Sequence, residues 1–244
     1  MRTIGPISWL LLACMWVPLH SNAQSQPSIY TVSVRELSIP SKALRAFEQG
    51  MDCLAKKDPA GSLPHFQRAI SEFPGYYEAY DRIGAANLKL WRVQEAEQAF
   101  QKSIDLSGAQ FAHPLLAMGA ILDDREQFAE AEAVTRKGLN LDPDSWTGHY
   151  YLGTALFGLN RLEEAELSVR ESLRQNPNFP EAYLLLADIH SREKDFRSLV
   201  SDLNRYLDLA PEGPASARIK SFRESAQRLL FESQSAAALP QPQP

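Results

Sequence analysis

Residues 146 to 179 read WTGHYYLGTALFGLNRLEEAELSVRESLRQNPNF. Trp146, Tyr150, Gly153 and Phe157 recur at spacings of four, three and four. The polar pair Asn160-Arg161 interrupts them, and Ala165, Val169, Ser172 and Leu173 then resume the same rhythm. Two helices of about a dozen residues joined by a short turn satisfy this pattern.

Outside this stretch the same beat continues. Gly50, Gly84, Gly119 and Gly153 follow one another at 34, 35 and 34 residues, and Ala187 sits 34 further on. Pro143, Pro177 and Pro211 are also spaced by 34, and Pro74 precedes Pro143 by 69. Such a period marks a repeat architecture. It cuts the chain into five blocks, 43–76, 77–110, 112–145, 146–179 and 180–213, with Phe111 as one extra residue. Small residues at the eighth position and at the twentieth (Ser62, Ala96, Ala131, Ala165) let the two helices of a block approach closely. A third small set, Ala69, Ser103, Gly138 and Ser172, is expected to nest the second helix against the next block. The proline near each block's end stops the second helix, because it cannot donate a backbone hydrogen bond. After Asp142 and Pro143, the turn Asp144-Ser145 is placed to cap the following helix.

From Ala43 to Pro211 the chain resembles a tetratricopeptide repeat protein. The likeness is carried most strongly by AYDRIGAANLKLWRVQEAEQAFQKSI, LLAMGAILDDREQFAEAEAVTRKGLNLDP and YYLGTALFGLNRLEEAELSVRESLRQNP. There are departures: Ala46 and Gln49 replace large apolar residues in block one, and Gly108 replaces proline in block two. Leu199 and Tyr206 stand at normally small positions of block five. The resemblance implies an all-α, right-handed superhelical solenoid of about five helix-turn-helix hairpins, whose first helices line a concave groove.

Carried over position by position, the resemblance places Phe47, Met51, Asp81, Leu88, Leu116, Asp124, Tyr150, Thr154, Phe157, Leu184, Asp188 and Arg192 on the groove face. Leu54, Glu78, Lys89, His113, Asp123, Thr147 and Glu181 accompany them. The Lys-plus-Asn clamp that some members use for an acidic carboxyl terminus is missing, since Asp81 or Tyr150 and Ala85 or Thr154 stand at its positions. The face therefore suits a peptide with apolar anchors and basic flanks, with Tyr150 and Phe157 as anchors. Alternatively the aromatics complete inter-helix packing.

The ends read differently. ASARIKSFRESAQRLLFE puts Ile219, Phe222, Ala226 and Leu229 at helical spacing, so 214–233 is expected to be a closing helix over the exposed end of the stack. Residues 234–244 are too rich in Pro and Ala to pack and are expected to be a disordered tail. Residues 24–42 contain IYTVSVRELSIP, whose alternation reads as an extended segment.

Residues 1–23 have Arg2, an apolar run from Ile4 to Leu19 and then Ser21 and Ala23, the layout of a signal peptide cleaved before Gln24. Its loss takes the net charge from −5 to −6 by removing Arg2. Leu11-Leu12-Ala13-Cys14 resembles a lipobox, but the apolar run continues through Met15, Trp16, Val17 and Leu19. Membrane attachment is thus expected only if Cys14 is lipidated. Cleavage leaves Cys53 as the only cysteine, at a position expected to be buried and inert. With 30 acidic and 25 basic residues and no basic patch, nucleic acid is not an expected partner.

Nothing in the sequence converges for catalysis. His65, His113, His149 and His190 fall on different faces, no pair having the spacing of a helical metal site. His113 and the Asp123-Asp124 pair are ten residues apart, about 15 Å along a helix. There is no Gly-rich phosphate loop, no Gly-x-Ser-x-Gly and no Cys/His cluster. The reading is an exported, non-catalytic scaffold that binds a protein or peptide, periplasmic or secreted, with no cofactor and no metal. Its first alternative is a lipid-anchored outer-membrane or pilus assembly factor; an enzyme or carbohydrate-binding module is the second, and no motif points to it.

Overall fold

The computed structural model describes residues 38–213 and 215–237, and all regular structure among them is helical. Helices α1 (Ser41–Ala55), α2 (Pro59–Glu72), α3 (Tyr77–Lys89), α4 (Val93–Ser107), α5 (Ala112–Asp124) and α6 (Phe128–Leu141) precede Pro143. After it come α7 (Trp146–Gly158), α8 (Leu162–Gln175), α9 (Pro180–Glu193), α10 (Phe196–Leu209) and α11 (Ser216–Ala237). The first ten pair consecutively into five antiparallel hairpins, and α11 packs on α10. The chain divides into two compact units at Pro143, with α1–α6 in the first and α7–α11 in the second.

The beat seen in the glycines and prolines is also written in the backbone. Lys57, Trp91, Glu126, Asn160 and Lys194, spaced by 34, 35, 34 and 34, are all left-handed, with φ between 59° and 61°. Each ends a first helix, and the amide of the next residue reaches back five residues to the helix: Arg92 to Asn87, Arg161 to Leu156 and Asp195 to His190, each at 2.9 Å. This bond satisfies a carbonyl that the helix end would otherwise leave open. Only Asn160 belongs to a type that tolerates αL well, so at Lys57, Trp91 and Glu126 the hairpin imposes the conformation against local preference.

Close approach explains the eighth-position glycines. A Cβ at Gly84 would lie 2.6 Å from the Phe100 ring, and one at Gly153 would lie 2.6 Å from Val169 Cγ2. Opposite them Ser62, Ala96, Ala131 and Ala165 are fully buried. In the third small set Ala69 shares a core cluster with Ala79 of the next hairpin, as expected, while two other members also meet their own hairpin. Ser103 Oγ donates to the Tyr77 carbonyl at 2.8 Å, and Gly138 faces Leu116 Cδ2 and the Ala112 carbonyl. These contacts are with the first helix of the same hairpin, because in an antiparallel pair the end of the second helix returns to the start of the first.

Where block two lacks proline, α4 ends on Gly108 at φ 61° followed by Ala109 at φ 56°. The extra residue Phe111 then packs its ring 5.3 Å from Tyr77. Ser145 Oγ accepts the Gly148 amide as the sequence suggests, and Asp58 and Asp195 cap second helices in the same way.

At the second unit's end, Ala226 of α11 joins Ala187, Leu199 and Leu203 in a core cluster flanked by Leu184 and Ile219. Thus the large residues Leu199 and Tyr206 are buried. Phe222 and Leu229, expected on this face, are 38% and 44% exposed. Bonds from Ser216 to the Ala210 carbonyl and from Arg223 to Asn204 turn the 216–219–223–226 stripe inward. The helix also runs to Ala237, so 234–237 are helical rather than tail, and Ser41 and Lys42 belong to α1 rather than to an extended segment. The signal segment, Cys14, the rest of the extended segment and residues 238–244 lie outside the described residues. Cys53 is half-buried, not enclosed as expected; α1 is the first described helix, and no earlier described hairpin packs against it. No described helix is long and apolar enough to cross a membrane.

Candidate functional site

The first helix of each hairpin presents the residues read as groove-facing, and burial sorts them. In the first unit Leu88 and Leu116 are 1% and 4% exposed, so they hold helices together. Phe47 is half-buried, its ring 5.0 Å from Tyr76 and 5.4 Å from Phe66. Met51 is half-buried and Asp124 exposed. Asp81 has no exposure, yet its Oδ1 lies 2.6 Å from His113 Nδ1 of the next hairpin, and Arg82 Nε is 3.4 Å from Oδ2. Because a carboxylate only accepts, Nδ1 carries the proton and Nε2 is left for the half-exposed side. Burial and the neighbouring Arg82 lower the Lys89 ammonium below its usual range.

In the second unit Tyr150 is 2% exposed, packed edge-on to Phe179 at 4.8 Å and to Tyr151 at 5.9 Å. Phe179 also meets Trp146 at 4.9 Å, so this aromatic group fastens the start of α9 to α7. Phe157, the other expected anchor, is half-buried under the Arg192 guanidinium, 3.8 Å from the ring centroid. Arg192 Nη1 also donates to the Phe157 carbonyl at 3.3 Å and to Asn160 Oδ1 at 3.4 Å. Thr154 is half-buried with its hydroxyl turned back to the Tyr151 carbonyl.

Glu181, Leu184, Asp188 and Arg192 follow at three, four and four residues along one face of α9. Among the described residues Asp188 makes neither a hydrogen bond nor an ion pair, and it is only partly exposed. Burial raises its carboxyl to about 6, against the opposing pull of Arg192 and of Arg218 on α11. Burial raises Glu181 too, and Tyr206 is raised by burial and by Glu181. The face thus carries a ring stacked under Arg192, a half-buried Leu184 that packs on the end cluster, and two recessed acids that favour an incoming cation.

With the hairpins and this face in place, the comparisons decide the family. Two family models, both described as "Tetratricopeptide repeat", match residues 43–110 and 122–189, together more than half of the chain. The chain belongs to the tetratricopeptide repeat family. Among curated tetratricopeptide relatives, Tetratricopeptide repeat protein 16 of Macaca fascicularis is 23% identical over 187 residues, 74% of this chain and 21% of that protein. The chain therefore spans about a fifth of that relative's length. Among solved structures, MamA from Desulfovibrio magneticus RS-1 matches with a TM-score of 0.60 at 20% identity, covering 72% of this chain and 99% of that one. YrrB, described as a TPR protein with an unusual peptide-binding site, matches with a TM-score of 0.56 at 16% identity, covering 73% and 92%. These likenesses fix the tetratricopeptide fold, which is a scaffold for protein–protein interaction.

Sequence reasoning missed the pairings that cross between helices. It tested His113 against Asp123 and Asp124 on the same helix, whereas the partner is Asp81, 32 residues earlier. It compared histidines only with one another, whereas His190 meets Asp202 at 2.7 Å and Glu166 at 3.3 Å. The partners stand at unlike repeat positions, Asp81 at five with His113 at two and His190 at eleven with Asp202 at twenty-three, so aligning the repeats does not pair them.

Proposed function

We propose that this chain is an exported, non-catalytic scaffold that holds a peptide or protein segment against the first helices of its hairpins. The segment carries a basic residue beside an apolar anchor. One observation carries the reading: Asp188, recessed and unpaired among the described residues, lies on the same face as Leu184 and one turn from Arg192, whose guanidinium covers Phe157. A carboxylate that burial holds near pH 6 gains most from a cation brought to it. The peptide-binding site ascribed to YrrB supports the same mode in a protein of the same fold. Export rests on the layout of residues 1–23.

The test is capture from cell-envelope extracts by the full chain, compared with Phe157→Ala and Asp188→Asn. Both substitutions are expected to lose a specific partner while the chain stays folded. Equal capture by all three chains, or loss only together with unfolding, removes the reading.

A further inference from the structure

Behind the groove face, His190 is enclosed by three helices and is 3% exposed. It lies two residues from Asp188, about 200° around α9, so it is turned away from the groove stripe. Asp202 of α10 is 2.7 Å from its Nδ1, and Glu166 Oε1 of α8 is 3.3 Å from its Nε2. Glu193, one turn further along α9 at i+3, brings a third ligand atom, and the ligand atoms of Glu166, His190 and Glu193 all lie within 4.8 Å of one another.

We propose that Glu166, His190 and Glu193 form a binding site for a divalent cation of the zinc class that clips α8 to α9. Three lines of geometry carry this. Asp202 can only accept, so it holds a proton on Nδ1. Nε2 faces Glu166, which also only accepts, so the cation takes this place by displacing the second ring proton to solvent. A carboxylate on the far nitrogen of a ligating histidine is the outer partner that metal sites use to orient the ring. The 3.3 Å between Nε2 and Glu166 Oε1 is long for a charged hydrogen bond. It equals the edge, about 3.3 Å, of a tetrahedron whose corners lie about 2.0 Å from a central zinc. Glu193 is exposed and has the freedom to close the remaining distance, and water completes the fourth position.

Arg170 competes for the same place. Its Nη2 and Nε are 2.5 and 2.8 Å from Glu166 Oε1. Its side chain is 57% exposed and can swing into solvent, leaving the carboxylate to the metal. A site that is an ion-pair network and nothing more depends on Arg170, whereas a metal site is weakened by it.

Titration of the chelator-stripped full chain with zinc chloride, followed by calorimetry and by melting, tests the proposal; cobalt(II) absorption reports the ligand geometry. One zinc per chain is expected, with a higher melting temperature and visible cobalt bands. Glu193→Gln, an exposed change that spares the fold, weakens zinc binding at least tenfold. Arg170→Ala tightens it. Absence of a melting shift and of cobalt bands overturns the proposal, as does zinc binding that Glu193→Gln leaves unchanged or that Arg170→Ala weakens. The site is independent of the groove, and loss of peptide binding has no bearing on it.

Discussion

His113 Nδ1 lies 2.6 Å from Asp81 Oδ1, and this bond joins the second hairpin to the third through a carboxylate with no solvent exposure. Asp81 stands at a groove position in sequence but acts as a brace between hairpins. Removing its partner leaves a buried acid with only the long contact to Arg82. His113→Ala is expected to cost about 2 kcal/mol in urea unfolding, within the range for an orphaned buried polar group. Asp81→Ala and the double variant should be far from additive, because they delete the same interaction. Strict additivity in this cycle contradicts the brace.

Two classes of backbone substitution separate crowding from conformational strain. Gly84→Ala drives a methyl into the Phe100 ring, and a loss of about 1–3 kcal/mol is expected from overpacking. Lys194→Gly relieves a left-handed residue at φ 59° that ends α9 and should raise stability by up to about 1 kcal/mol. Chemical denaturation of each variant reads both signs. A stabilising Gly84→Ala or a destabilising Lys194→Gly shows that the hairpin is packed or turned differently.

Asp188 gives a pH dependence of definite sign. Its folded carboxyl is raised from 3.8 to about 6 by burial, so between these values the folded chain binds the proton that the unfolded chain has released. Stability from this group is present below about pH 4, falls as pH rises to about 6 and is level above it. Arg192 on the same helix and Arg218 on α11 temper the effect, while Glu181 titrates on the same face. Relative to wild type, Asp188→Asn is expected to gain stability over this window in urea titrations with chelator present. Parallel profiles for the two chains contradict a recessed, unpaired Asp188.

How much of this was legible depends on whether the signal was local. The 34-residue beat of glycine and proline specifies five hairpins, because close packing and helix termination act at fixed positions within each repeat. The inward stripe of α11 was misread, since Phe222 and Leu229 have the right spacing and only the bonds of Ser216 and Arg223 choose the neighbouring face. The groove residues followed the family register, which gives direction but not depth: Tyr150 and Phe157 sit two turns apart on one helix, and only the first is covered by Phe179. Electrostatic partners such as Asp81 with His113, or Glu97 with Arg125 at 2.6 Å, belong to different hairpins and leave no mark within one repeat.

Selection of a random peptide library on the purified chain puts peptide capture by the groove to its sharpest test. Peptides with Lys or Arg beside an aromatic or aliphatic residue are expected to be enriched. Asp188→Asn is expected to weaken them about tenfold or more with the chain still folded and no less stable than wild type, the loss of one charged hydrogen bond. Enrichment of acidic peptides, no enrichment at all, or binding indifferent to Asp188→Asn would contradict it.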